Sequence, residues 1–264
     1  MRVKVALKTD KIPMLYRHRM ISLIKEALKK ADREYKEFLY NNKITKPFTF
    51  NLSFPKNKEI LEADIQIDSN FIVKDNVVIV KEGYLNLYVS SIDYRFLIGL
   101  VNGLKKLKTF NLSHEENMLV NGEKVVLEIV DMKMLNERHI QSRTVIFKTN
   151  SPILIEDKND NPVIFSDKNF ERELNEVTDR ILRSEVVKGK GLYEPLKFEP
   201  IDMKKQVVKH TLKSFREKTG KPLMYLTGSS GVFKITGHPK DLEILYKIGI
   251  GNRTGQGFGM VEVL

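Results

Sequence analysis

The chain has 264 residues, 41% of them apolar, and carries 45 Lys and Arg against 34 Asp and Glu, a net charge of +11. The length suits two domains of roughly 130 residues, and the basic surplus favours an anionic partner through Coulomb attraction and counterion release. With no cysteine, disulfides, zinc ribbons, iron–sulfur clusters and thiol nucleophiles are excluded, and the five histidines show no metal-ligand spacing.

Val3, Val5 and Leu7 alternate with Arg2, Lys4 and Lys8, the period of a strand with one buried face. This start lacks the apolar core of a signal peptide, and no run approaches the ~18 apolar residues of a membrane span. The expectation is a cytoplasmic protein with no membrane partner. A helix is expected over about 15–31. Ile21, Ile24, Leu28 and Ala31 form its apolar stripe, with His18, Ser22, Lys25 and Lys29 on the opposite face. Asp32 can cap a second short helix reaching about Asn41. Phe48, Phe50, Leu52 and Phe54 give a second strand, and more strand falls within 61–90, notably at 77–80 and 85–89. Ser90 and Asp93 form a helix-start signal ahead of Leu97, Leu100, Leu104 and Leu107, and strand returns at 124–134. The first half reads β-α-β-β-α-β.

The order then repeats. Strands are expected at 145–147 and 153–155. A helix marked by Phe170, Leu174, Val177 and Ile181 follows, with Asp167 as its cap. Strands are expected near 195–200, 206–215, 222–227 and 231–236. Pro239 starts a helix carrying Leu242, Leu245 and Ile248, and a last strand covers 258–264. The expected fold is α+β: two tandem ferredoxin-like (RRM-like) domains, 1–138 and 139–264, each β-α-β-β-α-β with an antiparallel sheet.

Gly249, Gly251, Gly255, Gly257 and Gly259 fall within eleven residues, GIGNRTGQGFG. Such a segment can turn through positive φ, let a polymer approach the backbone, and present amides as an anion nest. Its helix–loop–strand order and lack of a GK[ST] ending separate it from a P-loop. An ordinary tight helix-to-strand turn is the structural alternative.

This Gly-rich end resembles the signature of the RAMP superfamily of CRISPR-associated proteins. KIPMLYRHRMISLIKEAL, FLYNNKITKPFTFNLSF and FKTNSPILIED resemble, in family order, segments of its repeat-processing endoribonuclease, the sixth Cas protein. The resemblance implies a protein that binds CRISPR repeat RNA and cuts once per repeat, without metal or other cofactor. The RNA's own 2′-OH attacks, leaving a 2′,3′-cyclic phosphate and a 5′-OH. Other Cas effector subunits and a second copy of the chain are further partner candidates.

Such chemistry needs a base for the 2′-OH, an acid for the leaving oxygen and a cation for the phosphorane. The family uses a Tyr–His–Lys set. Lys46 matches the Lys, Tyr40 occupies the His position and Lys25 the Tyr position. His18, two helical turns from Lys25, is the one histidine near this set. The candidate catalytic residues are therefore Lys46, Lys25, Tyr40 and His18. The other four histidines are read as surface or turn residues.

RNA is expected along the cleft between the domains. Arg17, Arg19, Lys29, Lys209, Lys213 and Arg253 lead the basic candidates, beside the five glycines. Arg143, Lys148, Lys204, Lys205, Arg216 and Lys234 are supplementary. On the expected strand 206–215, Lys209, His210 and Lys213 lie near Phe215, mixing charge with a ring as stacking and phosphate contact require. The alternatives to an endoribonuclease are a non-catalytic RNA-binding RAMP subunit of an effector complex and an unrelated basic scaffold.

Overall fold

A computed structural model describes residues 1–41, 44–114 and 118–264. The N-terminal half runs β1 (Arg2–Lys8), β2 (Lys11–Pro13), α1 (Arg17–Ala31), α2 (Arg33–Asn41), β3 (Phe48–Ser53), β4 (Lys58–Gln66), β5 (Ile72–Val80), β6 (Leu85–Ser91), α3 (Tyr94–Leu107), β7 (Thr109–Asn111), β8 (Leu119–Val120), β9 (Glu123–Lys124) and β10 (Val126–Leu135). The C-terminal half runs β11 (Thr144–Thr149), α4 (Phe170–Leu182), β12 (Lys197–His210), α5 (Lys213–Thr219), β13 (Met224–Thr236), α6 (Pro239–Ile248), a 3₁₀ turn (Thr254–Gln256) and β14 (Val261–Val263).

Each half is ferredoxin-like. In the first, the sheet order is β3-β6-β1-β10, with β7 added at the edge. In the second it is β12-β13-β11-β14, the same antiparallel order. The alternating strands supply apolar faces, and α1 and α3 close the first sheet with Ile24, Leu28, Phe96 and Leu100. Phe48 of β3 stacks on Phe96 at 4.2 Å between ring centroids. The second core gathers Phe147, Phe170, Phe233 and Tyr246. Asp32 caps α2 through a 3.0 Å bond from the Tyr35 amide, as expected. No helix among the described residues is long and apolar enough to cross a membrane.

Several expectations change. β4 and β5 form a hairpin that leaves the first sheet and joins β2, β8 and β9 in a third one. Asp93, not Ser90, caps α3, accepting from the Phe96 amide at 3.2 Å. The segment 153–155 makes only a bridge from Ile153 to Ser229. Asp167 accepts from Ile164 instead of capping α4. The expected strands at 195–200 and 206–215 are one strand, β12, that stops at His210. Lys213 and Phe215 therefore lie on α5, away from the strand expected to carry them. The last strand begins at Val261, because Phe258 and Met260 are buried in the turn before it.

The halves dock through named polar anchors. Arg2 is almost fully buried. It donates to the carbonyls of Val261 at 2.9 Å and Tyr246 at 3.3 Å, pairs with Glu262, and lies 4.5 Å from the Tyr246 ring centroid. Thr49 Oγ1 of β3 donates to the Phe258 carbonyl at 2.8 Å. Lys209 and Arg216 pair with Asp75 and Asp68, each at 2.7 Å.

Candidate functional site

Docking creates a cleft of about 410 Å³ lined by Lys25 of α1, Tyr40 of α2, Thr45 and Lys46 ahead of β3, and residues 251–256. Capping by Asp32 breaks the chain between α1 and α2, so that α2 returns across α1 and brings Tyr40 over Lys25. Lys25 Nζ lies 4.7 Å and Lys46 Nζ 5.4 Å from the Tyr40 ring centroid. Lys46 Nζ also donates to the Ile44 carbonyl at 2.8 Å. Burial, and then the charge of Lys25, lowers the Lys46 pKa below the usual 10.5. Burial raises the Tyr40 phenol; among the described residues none hydrogen-bonds its Oη, which is shut off from solvent.

Three of the four expected catalytic residues thus converge. His18 does not join them. It lies buried in α1 and lines neither this cleft nor the second one described below. Burial, with Arg19 and His210 nearby, holds it neutral, well below 6.5. Among the described residues the cleft lining contains no histidine. His210, expected at the surface, is also buried. It meets the Phe258 ring edge-on at 5.9 Å, and burial together with Arg17 and Arg253 pushes it down to about 3.

The Gly-rich segment is a docking element more than an exposed nest. The amides of Gly249, Ile250, Asn252, Gln256, Gly257 and Gly259 donate to carbonyls of the protein itself. Gly249 backs onto Thr49, Gly251 onto the Leu154 carbonyl, and Gly259 onto Ile250. Gly257, at φ +85°, faces the Phe50 ring, where a Cβ would sit 2.7 Å from a ring carbon. Gly255 faces the Lys46 side chain. Gly249, Gly255 and Gly257 are needed because the turn lies against β3 and the segment ahead of it in the other half, and Gly251 and Gly259 because it folds closely on its own half.

The basic residues divide sharply. Arg19 is fully buried, lies 5.6 Å over the Phe110 ring and donates to the His114 carbonyl. Its burial removes it from the RNA-facing set, as burial and Asp68 remove Arg216. Arg253 stays on the cleft but is held by Glu156 through a two-nitrogen contact at 2.9–3.3 Å. Lys29 pairs loosely with Glu26 at 3.7 Å and Lys213 with Glu217 at 3.9 Å, both exposed. Arg143 pairs with Glu194, and Lys234 with Glu199 at 2.8 Å.

A second cleft of about 450 Å³ holds Arg17 and Lys209, together with the amides of Asn51, Asn76, Asn150 and Gln206. Arg17 lies 5.1 Å and 4.9 Å from the Tyr16 and Phe258 ring centroids. The sequence analysis named the two cations and missed the four amides, which sit on four separate segments and meet only when the halves dock. Among the described residues no group of three His, Cys, Asp or Glu is placed to hold a metal ion.

Residues 135–263 match the family described as CRISPR associated protein Cas6, C-terminal. Over its whole length the chain has the fold of a Cas6-related protein of Pyrococcus furiosus, with TM-score 0.72 at 22% identity, covering 100% of this chain and 98% of that one. It is also similar to an RAMP protein described as binding different RNA substrates, with TM-score 0.74 at 20% identity and coverage of 100% and 99%. A CRISPR associated protein Cas6 gives 0.68 at 22% identity, with coverage of 100% and 99%. No curated protein matches the sequence.

Proposed function

We propose that the protein binds CRISPR repeat RNA between its two domains, 1–138 and 139–264, and cuts it in the Lys25–Tyr40–Lys46 cleft. The carrying observation is the convergence of two lysines on one tyrosine ring, facing the Gly-rich turn of the Cas6 C-terminal domain. A buried lysine beside a second ammonium releases its proton more readily than a solvated one. Neutral Lys46 accepts the proton of the 2′-OH; the O2′–P bond forms and the P–O5′ bond breaks, with the leaving O5′ taking up a proton from solvent water. Lys25 supplies positive charge to the phosphorane. The products are a 2′,3′-cyclic phosphate and a 5′-OH.

The second cleft suits the single strand that leads to this point. Arg17 and Lys209 serve phosphate, and the four amides serve base edges, which single-stranded RNA leaves open. The histidine-free lining favours one second reading, an RNA-binding subunit that does not cut.

Incubating labelled repeat RNA with the protein in EDTA separates these readings. A single cut ending in a cyclic phosphate, abolished by a 2′-deoxy residue at the cut, supports the enzyme. Binding without cutting supports the subunit, and cleavage of the 2′-deoxy RNA contradicts 2′-OH attack.

A further inference from the structure

We propose that Tyr40 is a positioning residue whose ring, not its hydroxyl, organises the cleft by holding Lys25 and Lys46 against one shared π-surface. This inference rests on the proposed cleavage site and assigns Tyr40 a role different from proton transfer.

Both ammoniums lie within cation–π reach of the same ring, at 4.7 Å and 5.4 Å from its centroid. They come from different elements: Lys25 from the third turn of α1, Lys46 from the segment leading into β3. Like charges set side by side repel, and flexible lysine stems would carry them apart into water. The ring, negative on its faces, attracts both heads and offsets that repulsion.

The hydroxyl is placed differently. Its oxygen is closed off from solvent and meets no hydrogen-bond partner among the described residues. A group that gives or takes a proton must come within hydrogen-bond reach of the substrate, and this oxygen points into packed protein. The ring borders the cleft; the phenol tip does not open onto it. The position that resembles the family's histidine therefore carries an aromatic platform in this chain.

The test compares Tyr40→Leu with the conservative Tyr40→Phe under single-turnover conditions, alongside the affinity for uncleavable 2′-deoxy repeat RNA. Tyr40→Leu is expected to lower the cleavage rate roughly tenfold or more, with the affinity for the 2′-deoxy RNA within about threefold of the parent. Tyr40→Phe is expected to rescue most of the lost rate. A loss in Tyr40→Phe equal to that in Tyr40→Leu would overturn the proposal in favour of a working hydroxyl, and an unslowed Tyr40→Leu would overturn it outright. The second measurement is the NMR shift of the lysine ε-CH₂ groups in the free protein. Ring current should move those of Lys25 and Lys46 upfield in the parent and in Tyr40→Phe. If Tyr40→Leu does not fold, the parent and Tyr40→Phe spectra decide. If the parent leaves repeat RNA uncut, the cleavage reading fails separately; upfield lysine shifts then still support the platform, and ordinary shifts overturn it.

Discussion

Gly255 sets the reach of Lys46: a Cβ added at residue 255 would lie 2.8 Å from both Cβ and Cγ of that lysine. The turn and the lysine come from opposite halves, so the Gly-rich segment governs the site through packing. Gly255→Ala has no positive φ to oppose it and should fold. The extra methyl should displace Lys46 and slow single-turnover cleavage by roughly ten- to a hundredfold, with a melting temperature close to the parent's. An unslowed variant would show that Lys46 does not need this seat.

Gly257→Val carries a different expectation. The residue has φ +85° and faces the Phe50 ring, so a β-branched side chain meets both backbone strain and a clash. The loss should be about 2–5 kcal/mol of unfolding free energy, read from denaturant titration. Full stability with weakened RNA binding would restore the exposed-nest reading of the sequence analysis.

Arg2→Ala tests the docking. It strips Glu262 of its partner and leaves the Val261 and Tyr246 carbonyls without their donor. A cost of about 2–4 kcal/mol is expected. A change below about 0.5 kcal/mol would mean that the halves hold together without it.

Stability should fall on acidification below pH 6.5. His18 and His210 have folded pKa values below the unfolded 6.5, so below that pH the unfolded chain binds protons that the folded chain refuses. The folded state then loses up to about 1.4 kcal/mol per pH unit for each histidine; for His210 the loss continues down to about pH 3. His210→Phe should flatten the slope measured by urea denaturation between pH 6.5 and 4. An unchanged slope would show that His210 already titrates in the folded state.

The activity profile runs the other way. If neutral Lys46 is the base, cleavage rises with pH through the lowered Lys46 pKa and levels off below 10.5. Lys25→Ala removes the neighbouring charge that depresses Lys46, so the midpoint should move upward while the rate falls. A midpoint moving downward, measured against the background hydrolysis of the same RNA, would contradict the coupling.

Much of the fold was legible because period speaks directly. The alternation at Val3, Val5 and Leu7 and the stripe of Ile21, Ile24 and Leu28 announce one buried face each, and their repetition announces two like halves. The third sheet was not legible, since β4 carries exposed Ile60 and Leu61, and the pairing of β5 with β2 and of β4 with β8 is set by long-range register. β12 looked like two strands because Pro200 interrupts its pattern; the structure absorbs that proline at a register shift between Pro200 and Asp202. At the site, Lys25, Tyr40 and Lys46 came from resemblance to a family, and the cleft gathers them. Arg19 and His18 misled because a polar residue on a helix signals solvent, unless chain distant in sequence covers that face, as Phe110 and His114 of the same half cover Arg19. The acceptors that cover Arg19 and Arg216, a His114 carbonyl and Asp68, are distant in sequence.

The central claim is tested most directly by Lys46→Ala, with single-turnover cleavage of repeat RNA and binding of its 2′-deoxy analogue measured in the same buffer. The account predicts a rate lower by about a hundredfold or more with binding within about threefold. Equal losses in rate and affinity, or a rate that does not fall, would contradict it and place the chemistry elsewhere than the Lys25–Tyr40–Lys46 cleft.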